Sequence, residues 1–220
     1  LRRDEVGALL VLDIGLGAHA EGADDAPTLV DAAWVHRIVP PIPSDAHKGV
    51  RRRLAIVGGA DGMAGAPMLA AQGAMRSGIG MVRLLVSQGN VPVVQGALPT
   101  AMASRWPLTE EEQSPLLAWR GSVVLDADAL NVFEGEPRTL GALLGARPAV
   151  VTPHPAEAAR LLRRDVAAVL GARDASAIDL ARSLGAVVLL KGPPTVIAAP
   201  DGRTAVVASG SPALGIAGSG

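Results

Sequence analysis

The sequence predicts an α/β domain, with a mostly parallel sheet covered by helices on both faces. Three observations lead there. Short unbroken runs of Val, Leu and Ile recur, at RLAIV, MVRLLV, SVVLD, AVVT and AVVLL. Ala-rich stretches of helical length alternate with several of them. Gly, Pro, Asp, His and Lys gather just after the runs rather than inside them. A strand buried on both faces needs apolar side chains on both, so its sequence runs on instead of alternating.

The elements follow in order. LLVLDIGL, residues 9–16, reads as a short buried strand, and the polar stretch AHAEGADDAPT after it as turns. VPPIPSDAHKG, residues 39–49, carries three prolines and reads as a linker, which puts a domain boundary near residue 45. RLAIV (53–57) is a strand, 66–77 a helix and MVRLLV (81–86) a strand. SVVLD (122–126) and AVVT (149–152) are strands, the second followed by a helix over 156–164. A helix over 175–184 leads into the strand AVVLL (186–190). TVIAA and TAVVA form a hairpin around the turn Pro200, Asp201, Gly202. No internal repeat is present.

Composition excludes several classes. Hydrophobic residues make up 49% of the 220, enough for a core, but aromatics only 2%, so Ala, Val, Leu and Ile must build it. A net charge of −1 argues against an electrostatic nucleic-acid binder. The absence of cysteine excludes a disulfide scaffold and thiolate metal sites, and fits a cytoplasmic protein. No apolar run reaches the roughly 18 residues of a membrane span. GALLVLDIGLG resembles a signal-peptide core, but Asp13 interrupts it, and Asp4 and Glu5 stand where positive charge belongs.

Parallel sheets bind ligands beyond the carboxyl ends of their strands. After RLAIV comes GGADGMAGAP, residues 58–67, then a helix. Its glycines allow close backbone approach, and a helix N-terminus suits an anion. A tight strand–helix turn is the plain alternative. After SVVLD, Asp126 and Asp128 stand two apart, so a continuing strand would point both the same way. They would hold Mg²⁺ through water, or one would cap the next turn. After AVVT comes PHPAE, where two prolines fix His154 and Glu157 suits a helix N-terminus. After AVVLL comes KGPPT, with Lys191 placed for a phosphate or simply solvated. SGSPALGIAGSG closes the chain with glycine-rich backbone of the kind that forms an anion hole.

Taken together, VGGADGMAGAPMLAAQGAMRSGIG, VLDADALN, VTPHPAEAARLL, LLKGPPTVIAAPDG and GIAGSG resemble the ADP/ATP-dependent NAD(P)H-hydrate dehydratases of the ribokinase-like superfamily. The resemblance runs in order from about His47 to Gly220, with HKG matching the entry into the domain. It implies a repair reaction, in which hydrated NADH or NADPH loses water after the nucleotide phosphorylates the ring hydroxyl and phosphate departs. It implies Mg²⁺, with ADP or ATP as co-substrate, and a homo-oligomer, commonly a tetramer. Carried over, Gly65, Ala66, Asp128 and His154 face the hydrated dinucleotide. Lys191, Gly192, Pro193, Pro194 and Thr195, with Gly218, Ser219 and Gly220, lie on the adenine nucleotide. LLVLDIGL resembles the last strand of the epimerase domain in bifunctional NAD(P)H-hydrate repair enzymes. Residues 1–45 are therefore expected to be a remnant of that domain plus linker, and 46–220 the dehydratase domain.

Two departures stand out. The family ends its glycine loop with an aspartate, the expected general base, and here the sequence stops at Gly220. Both ends are accordingly expected to be cuts, with the chain as it stands inactive and no catalytic residue present. The family also carries GPGLG before VLDADAL, and no such motif lies between Ser87 and Ser122. Either a segment is missing there or that contact is lost. Two other readings stay open: a ribokinase-like kinase of a thiazole or pyrimidine alcohol, and a non-catalytic nucleotide-binding remnant.

Overall fold

The computed structural model describes residues 26–46, 52–106 and 121–207. The strands are β1 (Thr28–Leu29), β2 (Arg53–Val57), β3 (Met81–Val86), β4 (Met102–Arg105), β5 (Ser122–Leu125), β6 (Ala149–Val151), β7 (Val187–Leu190), β8 (Thr195–Ala198) and β9 (Thr204–Val207). The helices are α1 (Ala32–Ile38), α2 (Gly65–Arg76), α3 (Val91–Ala97), α4 (Asp128–Asn131), α5 (Pro137–Leu144), α6 (Pro155–Leu162), α7 (Val166–Gly171) and α8 (Arg173–Leu184). Among the described residues the strands form one sheet in the order β1-β9-β8-β7-β6-β5-β2-β3-β4. All pairings are parallel except β7 with β8 and β8 with β9.

Alternation along the strands covers both faces. Ile56 and Leu84 enter a cluster with Ala71 of α2 and Val94 of α3. Their neighbours Val57 and Leu85 enter the opposite cluster, with Leu140 of α5, Ala158 of α6 and Leu180 of α8. Successive residues of a strand point to opposite faces, so unbroken apolar runs supply both cores. Leu84, Leu140 and Leu180 are fully buried.

Register aligns the strand ends. Leu85 pairs with Val57, Val57 with Leu125, Leu125 with Val151, and Val151 with Val188. The residues that follow this row therefore emerge along one rim. From β2 the chain runs outward to β3 and β4, then returns to place β5 on the other side of β2. The β2/β5 junction is thus the point where strand order reverses, the place where open parallel sheets leave a crevice.

The strands expected within the described residues and the 200–202 hairpin form, with shifts at the ends. SVVLD stops at Leu125, AVVT at Val151, and AVVLL starts at Val187. Pro155 joins α6 as its first residue, because its missing N–H is not needed there. β4, α3, α5 and α7 were not anticipated. β4 is the polar edge sequence MASR, and α5 contains a glycine that breaks the helical pattern. A Cβ at Gly141 would lie 2.9 Å from the Leu184 carbonyl, so glycine is what lets α5 pack against the end of α8. Thr28 and Leu29, upstream of the expected boundary, pair with Ala205 and Val206 of β9. The expected strand over 9–16, the HKG entry and the closing glycines lie outside the described residues.

Candidate active site

A cavity of about 380 Å³ opens at the β2/β5 junction. Four strand ends supply its wall: Gly58 and Gly59 after β2, Asp126 and Ala127 after β5, Thr152 and His154 after β6, and Lys191 after β7. Ala66, Pro67 and Ala70 of α2 close one side.

The β2–α2 loop is shaped by backbone that only glycine adopts easily. Gly59 has φ +90°, and a Cβ there would lie 2.9 Å from Pro67 Cγ and 3.2 Å from the Met63 carbonyl. Asn90, only 3% exposed, braces the loop from the side. Its Nδ2 donates to the carbonyls of Gly59 (3.1 Å) and Ala60 (2.6 Å), and its Oδ1 accepts from the Gly62 N–H at 3.2 Å. The loop ends at Ala64, which offers α2 no side-chain cap.

His154 is the N-cap of α6. Its Nδ1 accepts from the N–H groups of Ala156 (3.1 Å) and Glu157 (3.3 Å). Glu157 Oε2 accepts from the His154 N–H at 2.8 Å, closing a capping box. Glu157 Oε1 lies 3.2 Å from His154 Nε2. With Nδ1 occupied as an acceptor, the tautomer carrying hydrogen on Nε2 fits both contacts. Glu157 is buried, so the simple expectation of a carboxylate at a helix N-terminus holds, and the same residue also lines the cavity.

Lys191 Nζ donates to Asp126 Oδ1 at 2.7 Å. Asp126 and Lys191 thus meet at the rim, although neither was assigned to the other from sequence. The strand expected to run on through Asp126 does not reach Asp128. The strand ends at Leu125, Ala127 takes φ +52°, and Asp128 opens α4, so the two-residue alternation stops between them.

Ala66, His154 and Lys191 are brought to one cavity, with Gly65 beside it as the first residue of α2. Gly192 to Pro194 form the turn from β7 into β8, which Thr195 opens, and all four lie off the cavity wall. Thr195 Oγ1 donates to the Gly192 carbonyl at 3.0 Å. Arg173, unnoticed in the sequence, holds this turn: its Nη2 donates to the carbonyls of Lys191 (3.1 Å) and Pro194 (3.0 Å). Burial lowers the Arg173 pKa from its usual value, and the charge of Asp174 pulls the other way. Gly218, Ser219 and Gly220 lie outside the described residues. Thr152, also missed, donates from Oγ1 to the Leu125 carbonyl at 3.3 Å. No sequence signal marks Arg173, whereas Asn90 reads as an ordinary N-cap before Val91 and Pro92.

No cluster of three or more His, Asp or Glu able to hold a metal occurs among the described residues. The two cavity carboxylates are each engaged, Asp126 by Lys191 and Glu157 by His154. The described residues therefore do not build a resident Mg²⁺ cage.

The chain matches the NAD(P)H-hydrate dehydratase family in two stretches, residues 54–120 and 115–220. They meet in the region that lacks GPGLG. It is 39% identical over 207 residues to the ADP-dependent (S)-NAD(P)H-hydrate dehydratase of Neisseria meningitidis, covering 80% of this chain and 68% of that protein. It is 33% identical over 253 residues to a bifunctional NAD(P)H-hydrate repair enzyme of Moorella thermoacetica, covering 97% of this chain but 47% of that one. The chain thus spans about two thirds of the first relative and under half of the second. The crystal structure of the Bacillus subtilis ADP/ATP-dependent NAD(P)H-hydrate dehydratase, co-crystallised with ATP and Mg²⁺, superposes with a TM-score of 0.68 at 29% identity. The match covers 88% of this chain and 76% of that one. A ribokinase-like protein of Enterococcus faecalis, 20% identical, shares the fold with a TM-score of 0.65, over 87% of this chain and 75% of that one.

Proposed function

Because this chain belongs to the NAD(P)H-hydrate dehydratase family, we propose that it takes part in the ADP- or ATP-dependent removal of water from hydrated NADH and NADPH. The observation that carries the proposal is the convergence of Ala66, Asp126, His154 and Lys191 on one cavity at the β2/β5 junction. A volume of about 380 Å³ is at the small end of ligand pockets. It suits one end of a dinucleotide, and the hydrated nicotinamide ring is the end that reacts.

In this reading the ring lies between the β2–α2 loop and His154, whose Nε2–H, 3.2 Å from Glu157 Oε1, turns from that carboxylate to donate to a ring hydroxyl or amide. Lys191, fixed by Asp126, meets a nucleotide phosphate, and Gly192 to Thr195 flank the nucleotide. The ring oxygen bonds to the terminal phosphorus as the bond to the departing nucleotide breaks, and the hydroxyl proton passes to a base. Phosphate then leaves with the C–O electron pair, a ring C–H proton is lost, and the ring double bond reforms. Such a transfer depends on positioning and charge more than on covalent help from the protein. Gly218 to Gly220 are assigned in this reading to the transferring phosphate. Mg²⁺ bound with the nucleotide would supply charge neutralisation at the phosphates. Residues 1–45 as an epimerase-domain remnant and its linker, the linker lending β1 to the sheet, together with a cytoplasmic location and a homo-oligomer, complete the proposal. Among the described residues no helix is long and apolar enough to cross a membrane.

The test is to incubate hydrated NADH with ADP and Mg²⁺, then ATP and Mg²⁺. The full natural protein is used. Return of reduced-nicotinamide absorbance above the nucleotide-free control is expected. No return with either nucleotide contradicts the proposal.

A further inference from the structure

We propose that Asn90 is a positioning residue that sets the dinucleotide side of the cavity without touching the nucleotide side. The inference deepens the reading of the cavity given above and rests on it. Asn90 stands at the N-cap of α3, where an Asn normally accepts from its own helix. It makes no such bond. Its side chain turns instead to the β2–α2 loop, 30 residues earlier in the chain, and makes three hydrogen bonds to that loop's backbone.

The bonds sit at the bends. One carbonyl belongs to Gly59, at φ +90°, and the amide to Gly62, at φ +77°. Left alone, a loop with two such glycines samples many shapes, because glycine backbone is the least restricted. One amide side chain with two donors and one acceptor matches two carbonyls and one N–H in a single arrangement. The Ser87 N–H reaches the Gly59 carbonyl as well, at 3.1 Å, so the β3–α3 connection holds the loop by backbone and side chain together. The stretch it holds includes Gly58, Gly59, Ala60 and Met63, all on the cavity wall. When Asn90 is replaced, the carbonyls of Gly59 and Ala60 keep only the N–H groups of Ser87 and Met63, and the Gly62 N–H loses its acceptor, so the loop must move to hydrate it. Lys191 and the Gly192–Thr195 turn are held separately by Asp126 and Arg173. The effect should therefore be confined to one substrate.

Calorimetry tests this with hydrated NADH and with ADP, on the parent, Asn90→Ala and Asn90→Ser. The expected result is a loss of about tenfold in affinity for hydrated NADH in Asn90→Ala, with ADP affinity held within about twofold. Asn90→Ser, which keeps one small donor, should fall between. Equal losses for both ligands, or none, overturn the inference. A second measurement needs no variant: amide exchange of Gly62 in the parent should slow on adding hydrated NADH and not on adding ADP alone. Unchanged Gly62 exchange with hydrated NADH bound also overturns it. Should the parent bind ADP but no hydrated NADH, the reading of the cavity fails first, and the inference with it.

Discussion

Lys191 Nζ and Asp126 Oδ1 lie 2.7 Å apart, joining the ends of β7 and β5 across the end of β6. Their side chains are 24% and 20% exposed, dry enough for the pair to orient both groups and wet enough for ligand to reach them. An ammonium has three donors, so a bond to Asp126 is compatible with a second to phosphate. Asp126 thereby fixes where the positive charge stands.

Lys191→Ala should weaken ADP binding by about tenfold, through loss of a charge-assisted phosphate contact. Asp126→Asn should weaken it less, since the ammonium remains but is less well held. Calorimetry with ADP and AMP checks both, and equal affinity in Lys191→Ala and parent removes Lys191 from the nucleotide site.

His154 has a structural task and a proposed binding task, and two substitutions separate them. Asn is a good N-cap, so His154→Asn should keep stability within about 0.5 kcal/mol, while His154→Ala should lose about 1 kcal/mol. Both should weaken hydrated NADH binding, because neither has the Nε2 donor. Urea unfolding and calorimetry read the two effects. Parent-like binding by His154→Asn would confine His154 to its capping role.

Two glycines near each other in sequence should respond in opposite directions. Gly59→Ala meets Pro67 and the Met63 carbonyl at a positive φ and should destabilise by about 1–3 kcal/mol. Gly73 lies on the exposed side of α2, with nothing within 4 Å of an added Cβ. Gly73→Ala should stabilise by about 0.5–1 kcal/mol. Thermal unfolding of the two variants checks the contrast.

The hairpin turn should carry an acid-sensitive contribution. Asp201 accepts from the Arg203 N–H at 3.1 Å and from Arg203 Nε at 2.8 Å, and these bonds, the backbone one foremost, lower its pKa. A carboxyl with a depressed folded pKa stabilises above its unfolded value, about 3.9, and loses that stabilisation as pH falls through the folded value. Asp201→Asn should therefore melt below the parent near neutral pH, with the gap closing in acid. A constant gap would assign the difference to the turn's shape rather than to its charge.

The central strands were legible because burial on both faces leaves unbroken Val, Leu and Ile. The rim was legible because its polar residues directly follow those strands. β4 was not, since an edge strand can be as polar as MASR. Asn90 was hidden by its position at a helix start, where Asn needs no further explanation. The Asp126–Lys191 pair joins residues 65 positions apart, and only the strand order brings them together. Arg173 acts on backbone carbonyls, which any sequence supplies.

The most direct test of the account is a crystal structure with ADP and hydrated NADH both bound. The prediction is a hydrated ring between Ala66 and His154, within hydrogen-bond reach of His154 Nε2, and a nucleotide phosphate on Lys191. A dinucleotide bound away from the β2/β5 cavity, or one whose ring points out of it, would contradict the account.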